Sequence, residues 1–176
     1  MQPVGKVWAI VILLALTSVA PVAFSQDQAK TSSKVFAVGL GTSMDNIFRG
    51  STLNGGSYAT TAVPLLLADM WTIQPFVMTQ VTPDFAKELL LGGDATLDIR
   101  MAWMGDGFLT VGVRYLYDLG DNTHLLGPEL TLLSSETTDA ERSVRVRFLT
   151  LYVLWDFSQI APVTGGFDML QVAVFF

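Results

Sequence analysis

The chain has 176 residues, 51% of them hydrophobic, with 10 basic and 16 acidic side chains, a formal charge of −6, one histidine and no cysteine. This balance excludes disulfides and cysteine-built metal centres. It also argues against a nucleic-acid surface, which needs clustered Lys and Arg.

Residues 1–25 carry one positive charge at Lys6, an apolar run from Val7 to Leu16, and a small-residue stretch ending Ala23-Phe24-Ser25. That is the three-part layout of a secretory signal peptide, with the cut expected after Ser25. The alternative is an uncleaved anchoring helix, for which the apolar run is short against the roughly 20 residues of a span. Removing 25 of the 176 residues leaves 151, enough for one domain. Lys6 is the one charged residue lost, so 9 basic and 16 acidic groups remain, net −7. Residues 26–34 read as a short N-terminal segment and 35–176 as the folded domain.

From residue 35 onward the chain alternates with the period of two that marks strands. Eight segments carry the pattern: 35–42, 60–68, 71–82, 95–104, 108–119, 124–134, 143–157 and 167–176. The connections 43–59 and 83–94 are long, while 69–70 and 105–107 are tight, so the first five strands predict long loops on one rim and short turns on the other. Within 83–94, Asp84 reads as a helix start and Gly92-Gly93 as its stop, the alternative being an extension of the next strand. Afterwards the rhythm weakens: 120–123 is short, 135–142 is longer and charged, and the seventh segment becomes apolar on both faces near Phe148, where a β-bulge could restore register.

Two segments display the faces. In FLTVGVRYLYDL, Leu109, Val111, Val113, Tyr115, Tyr117 and Leu119 form one row, and Phe108, Thr110, Gly112, Arg114, Leu116 and Asp118 the other. In TLDIRMAWM, Leu97, Ile99, Met101 and Trp103 oppose Thr96, Asp98, Arg100 and Ala102. Alternation alone fits two arrangements: a soluble barrel with the aliphatic row inside, or a membrane barrel with that row outside. The even count of eight strands, the loop asymmetry and the lack of a long apolar helical stretch after residue 25 favour the membrane barrel, since only closed strands or helices satisfy backbone amides in lipid.

The C-terminal stretch adds a further signal. Phe176 is preceded at two, four and six positions by Val174, Val172 and Leu170, and the strand follows Gly165-Gly166. This resembles the C-terminal strand signal of bacterial outer-membrane β-barrel proteins. With the leader, strand count and loops, the whole mature chain resembles the small barrels of the OmpX and OmpA membrane-domain type. The resemblance implies an all-β fold: an eight-stranded antiparallel up-and-down transmembrane β-barrel in the outer membrane, produced after cleavage of an N-terminal signal peptide. It further implies that Leu170, Val172, Val174 and Phe176 face lipid and form the signal read by the barrel-assembly machinery, with outer-membrane lipid and lipopolysaccharide as surroundings. A monomer is expected.

With the aliphatic rows outside, the inward rows bring Asp98, Arg100, Arg114, Asp118, Glu129, Arg145 and Arg147 together with Gln74, Gln80 and Gln171. An eight-stranded interior is just wide enough to be filled by side chains, which predicts a packed charge network; a narrow channel is the functional alternative. Trp71, Trp103 and Phe108, with Phe176, are expected in an aromatic girdle at the short-turn rim, and Tyr115, Tyr117 and Trp155 in one at the long-loop rim. No metal or cofactor constellation is apparent, and no catalytic set: His124 is followed two residues on by Leu126 rather than a nucleophile, and Glu129 projects to the opposite face. The reading that results is a non-enzymatic barrel with a structural or surface-interaction role carried by its outer loops. A lipid A deacylase-like enzyme and a periplasmic soluble β-barrel compete with it, and no surface ligand is specified.

Overall fold

The computed structural model describes residues 36–48, 55–68, 70–83, 88–100, 107–138, 142–156 and 163–176. The expected leader, the segment 26–34, the Asp84 helix start and Trp103 lie outside these residues. Nine strand segments are present among the described residues: β1 (Phe36–Ile47), β2 (Gly56–Ala62), β3 (Leu65–Leu67), β4 (Trp71–Thr82), β5 (Leu89–Arg100), β6 (Gly107–Asp118), β7 (Thr123–Thr138), β8 (Ser143–Asp156) and β9 (Val163–Phe175). They form one antiparallel sheet that closes where β1 pairs with β9. The barrel has eight staves, because β2 and β3 run end to end between β1 and β4, and the register on both neighbours continues unbroken across the gap. Pro64 makes that gap, having no N–H to donate. The flanking groups stay bonded: Val63 N–H donates to Pro75 O at 3.0 Å, and Pro64 O accepts from Gly39 N–H at 2.8 Å. Closure removes the unpaired edges that an open sheet would expose.

The faces are inverted relative to a soluble protein. Leu40, Ile73, Val77, Leu91, Ile99, Val113, Leu151 and Val153 are exposed on the outside, whereas Asp98, Arg114, Glu129, Arg145 and Arg147 are each 5% exposed or less. Water would penalise that exterior, and a hydrocarbon solvent would not. The chain is an all-β barrel of the transmembrane type.

Several strands are longer than the alternation suggests. The first extends to Ile47 and the next begins at Gly56, which shortens the connection expected over 43–59. Leu89 to Asp94 belongs to β5 instead of a loop, and β7 continues to Thr138. Gly92 and Gly93 therefore do not stop a helix; they pair with Phe76 and Pro75 on one side and with Leu116 and Tyr115 on the other. The reason is steric. A Cβ on Gly92 would lie 2.3 Å from the Phe76 ring, so the glycine is the seat on which that ring rests.

The facing of β8 switches near Phe148, where a bulge is expected, but its register with β7 and β9 is unbroken and the switch is shared by all three strands. Consecutive apolar pairs, Leu132-Leu133 in β7, Phe148-Leu149 in β8 and Met169-Leu170 in β9, all lie on the outside or half-buried. Leu149 has φ of 53°, the left-handed conformation that reverses the facing of the chain. Because the three strands switch facing together, β7–β8 and β8–β9 keep one frame throughout. The mismatch is confined to the flanks, where Leu109 of β6 opposes Leu132-Leu133 and Met44 of β1 opposes Met169-Leu170. Alternation counted back from Phe176 places Met169 inside; its 60% exposure corrects that.

Candidate functional site

The interior is layered along the barrel axis. The lower rim is formed by Phe36, Leu67, Trp71, Arg100, Gly107, Thr138, Ser143 and Phe175, and the upper rim by the opposite strand ends. Above the floor of Ala37, Leu66, Ala173 and Phe175 lies a layer of ions built on Arg145 and Arg147, and further up a second built on Arg114. Ile47, Tyr58, Met78, Leu90, Leu116, Leu125 and Leu154 form an apolar cap toward the upper rim, each 3% exposed or less. Buried charge is tolerated only when paired and hydrogen-bonded, and in both layers the arginines meet carboxylates.

In the lower layer Arg145 donates to Asp98, to Glu136 at 2.9 Å and to Thr72 at 3.1 Å. Its guanidinium lies 5.2 Å from the Phe108 ring and 5.5 Å from that of Phe175. Arg147 donates to Thr96 at 2.9 Å and sits 3.9 Å from Asp98. Asp98 also accepts from Thr110 at 2.8 Å, and Thr110 meets Ser134 at 3.1 Å. Glu136 is held by Ser143 as well. A small void between Thr72, Gln74, Arg145, Arg147 and Gln171 has room for about one water.

The upper layer repeats the design with one arginine. Arg114 donates from Nη1 to Asp45 at 2.7 Å and from Nε to Glu129 at 2.8 Å, and its Nη2 lies 3.7 Å from Asp94. Its guanidinium is held between the Tyr152 ring at 4.4 Å and the Phe76 ring at 5.4 Å. Each ring lies over a glycine directly across the ladder: Phe76 over Gly92, and Tyr152 over Gly166, where a Cβ would come within 2.4 Å of the ring and its hydroxyl. Removing the Cβ lets an aromatic lie flat against the wall, with its face turned to the cation.

The structure brings Asp98, Arg145 and Arg147 into one layer and Arg114 and Glu129 into the other. Asp118 is buried at the upper end of β6, where it accepts from the Gly120 amide at 2.8 Å. Arg100 is displaced from the position expected at the network's centre. Its side chain is 63% exposed at the lower rim, 3.9 Å from Glu136, because β5 ends there and the wall no longer encloses it. Phe108 is likewise not in the girdle; at 1% exposure it faces inward under Arg145. Trp71 and Phe176 are exposed at the lower rim, and Tyr115, half-buried Tyr117 and Trp155 face outward toward the upper one. Leu170, Val172 and Val174 lie on the outward row of β9, and the exposed Phe176 follows directly after its end.

His124 sits on the outside with this upper aromatic group. Its Nδ1 is 2.6 Å from the Tyr115 hydroxyl, its ring stacks on Tyr117 at 4.7 Å, and Tyr117 in turn donates to Asn122 at 2.7 Å. These contacts orient the imidazole by aromatic neighbours.

Phe76 shares the inward row of Gln74 and Gln80, whereas Asp45, Asp94, Glu136, Asp168 and Tyr152 belong to the ion layers although the alternating segments did not place them there. For two of them the signal is present in the sequence. Asp94, Thr96 and Asp98 are one polar row once β5 is extended downward in number, and Gly39, Gly41, Ser43 and Asp45 are another in β1. Asp168 has no such signal, since the bulge at Met169-Leu170 shifts it onto the inner face. Comparison of the chain with protein-family models, with curated proteins and with solved structures finds no match.

Proposed function

We propose that the chain is a small bacterial outer-membrane β-barrel protein without enzymatic chemistry, whose role is structural or surface-interacting and is carried by the connections at one rim. The observation that carries this reading is the inversion of faces: aliphatic residues and rim aromatics outside, two ion layers inside. Such an exterior calls for acyl chains around the barrel, with Trp71, Tyr115, Tyr117 and Trp155 at the depth of lipid headgroups. In an outer membrane those surroundings include lipopolysaccharide, and the Leu170, Val172, Val174 and Phe176 row is suited to reading by the barrel-assembly machinery.

Fractionation and gel migration test the proposal together. The protein should require detergent for release, and unboiled and boiled samples should migrate differently. Release with soluble periplasmic contents and identical migration would overturn it. The apolar cap and floor on either side of the ion layers argue for an occluded barrel, so planar-bilayer recordings should show no discrete conductance steps; regular steps abolished by Arg114→Met would instead make it a channel.

A further inference from the structure

One pair of side chains in the Arg114 layer has an arrangement that ion pairing does not account for. Asp45 and Asp168 are direct partners across the β1–β9 ladder, both turned inward and each 1% exposed. Like charges directly opposite on neighbouring strands repel, and two carboxylates brought together away from water do not both ionise.

The two members differ in their hydrogen bonds. Asp45 accepts from Arg114 at Oδ1, and from Thr60 at 2.6 Å and Ser43 at 3.0 Å at Oδ2, the donor set of an anion. Asp168 accepts the Leu170 amide at Oδ1, at 2.9 Å, and its buried Oδ2 has no hydrogen-bond partner. The charged and titratable groups of the layer are Asp45 from β1, Asp94 from β5, Arg114 from β6, Glu129 from β7, Tyr152 from β8 and Asp168 from β9. Four carboxylates thus share the Arg114 guanidinium, which pairs with Asp45, Asp94 and Glu129, and Arg147 of the lower layer is the next cation acting on Asp94. Buried oxygens of Asp94 and Glu129 also lack partners. Among the described residues no three acidic or imidazole groups converge as ligands for a metal ion.

We propose that the Asp45–Asp168 pair is a proton-binding site that holds one proton at neutral pH, with Asp168, the member that Arg114 does not bond, as its carrier. The proton supplies part of the positive charge that the layer lacks. This inference concerns the barrel interior and stands apart from where the protein resides in the cell.

The test uses the full chain folded into phosphatidylcholine vesicles at pH 7. Infrared spectra of the wild type should contain the carbonyl band of a protonated carboxylic acid, shifted by deuterium exchange and lost in Asp168→Asn. That variant keeps the shape of the protonated acid, so its urea unfolding midpoint should equal or exceed the wild-type value. Asp45→Asn provides the contrast. It should also lose the band, because Asp168 then faces no anion across the ladder and ionises toward Arg114, but its midpoint should fall as Arg114 loses a bonded anion. A band of equal intensity in wild type and Asp168→Asn overturns the proposal, as does a wild type without the band. A wild type without the band whose midpoint rises with added sodium or potassium salt would assign the site to a monovalent cation instead.

Discussion

Replacing Arg114 with methionine tests whether the interior is dry. The side chain is 4% exposed, and its guanidinium bonds Asp45 at 2.7 Å and Glu129 at 2.8 Å, with Asp94 at 3.7 Å. Methionine retains the apolar stem, so little packing is lost. What remains is a group of buried carboxylates facing no guanidinium in their layer. Breaking a buried pair by removing one partner costs about 3–5 kcal/mol, and a desolvated cation–π contact contributes about 2 more. Proton uptake by the orphaned acids offsets part of that. A net loss of about 4 kcal/mol is expected, roughly a thousandfold in the folding equilibrium at about 1.36 kcal/mol per decade. The assay is equilibrium urea unfolding from lipid vesicles, followed by tryptophan fluorescence, with midpoint and slope both recorded. Glu129→Gln is the companion: it removes one of four carboxylates and leaves Arg114 bonded to Asp45, so its cost should stay below about 1 kcal/mol. If Arg114→Met also costs less than about 1 kcal/mol, the charges are screened by water and the occluded interior is wrong.

Val113, 47% exposed midway along β6, tests the outer face: arginine there should cost about 2–4 kcal/mol near a bilayer midplane, whereas leucine should change stability by less than about 0.5 kcal/mol, and an arginine variant as stable as wild type in vesicles would put that face in water. Gly92→Ala should cost about 1–3 kcal/mol by displacing the Phe76 ring from Arg114. Adding Phe76→Leu in the same chain should recover part of this, and strictly additive losses in the unfolding cycle would show that ring and glycine are not in contact.

The sequence makes the alternation legible because side-chain facing in a strand repeats every two residues regardless of what covers either face. That is why Asp98, Arg114, Glu129, Arg145 and Arg147 could be assigned to one face of the sheet from spacing, while taking that face as the inner one rests on the strand count, the loop asymmetry and the lack of a long apolar helical stretch. Two kinds of information were harder to extract. The first is where a strand ends. Gly92-Gly93 and the stretch beyond Thr42 look like turn material, yet in a barrel a glycine opposite an aromatic is a packing position, and reading it as punctuation left Asp94 and Asp45 out of the network. The second is facing after a bulge. A left-handed residue at Leu149 carries no marker in its side chain, and alternation beyond it is equally regular in the wrong phase.

The three doubled apolar pairs show why that irregularity can persist across neighbouring strands. A bulge in one strand alone would place a mismatch on both of its ladders. With Leu132-Leu133, Phe148-Leu149 and Met169-Leu170 switching together, the two ladders inside the group stay matched, and only those to β6 and β1 absorb the extra residue. The switch carries Arg145 and Arg147 on one side of it, and Thr150, Tyr152 and Asp168 on the other, onto the same inner face. Without it, either the lower arginine layer or the Tyr152 face of the Arg114 site would point into the surrounding medium. The doubled pairs themselves are hydrophobic for the same reason: at the switch both residues face outward or lie half-buried, and an outer wall suited to lipid admits no polar side chain there without cost. A run of two apolar residues recurring at the same height in adjacent strands therefore encodes the break in phase, but it becomes readable only once the pairing of the strands is known.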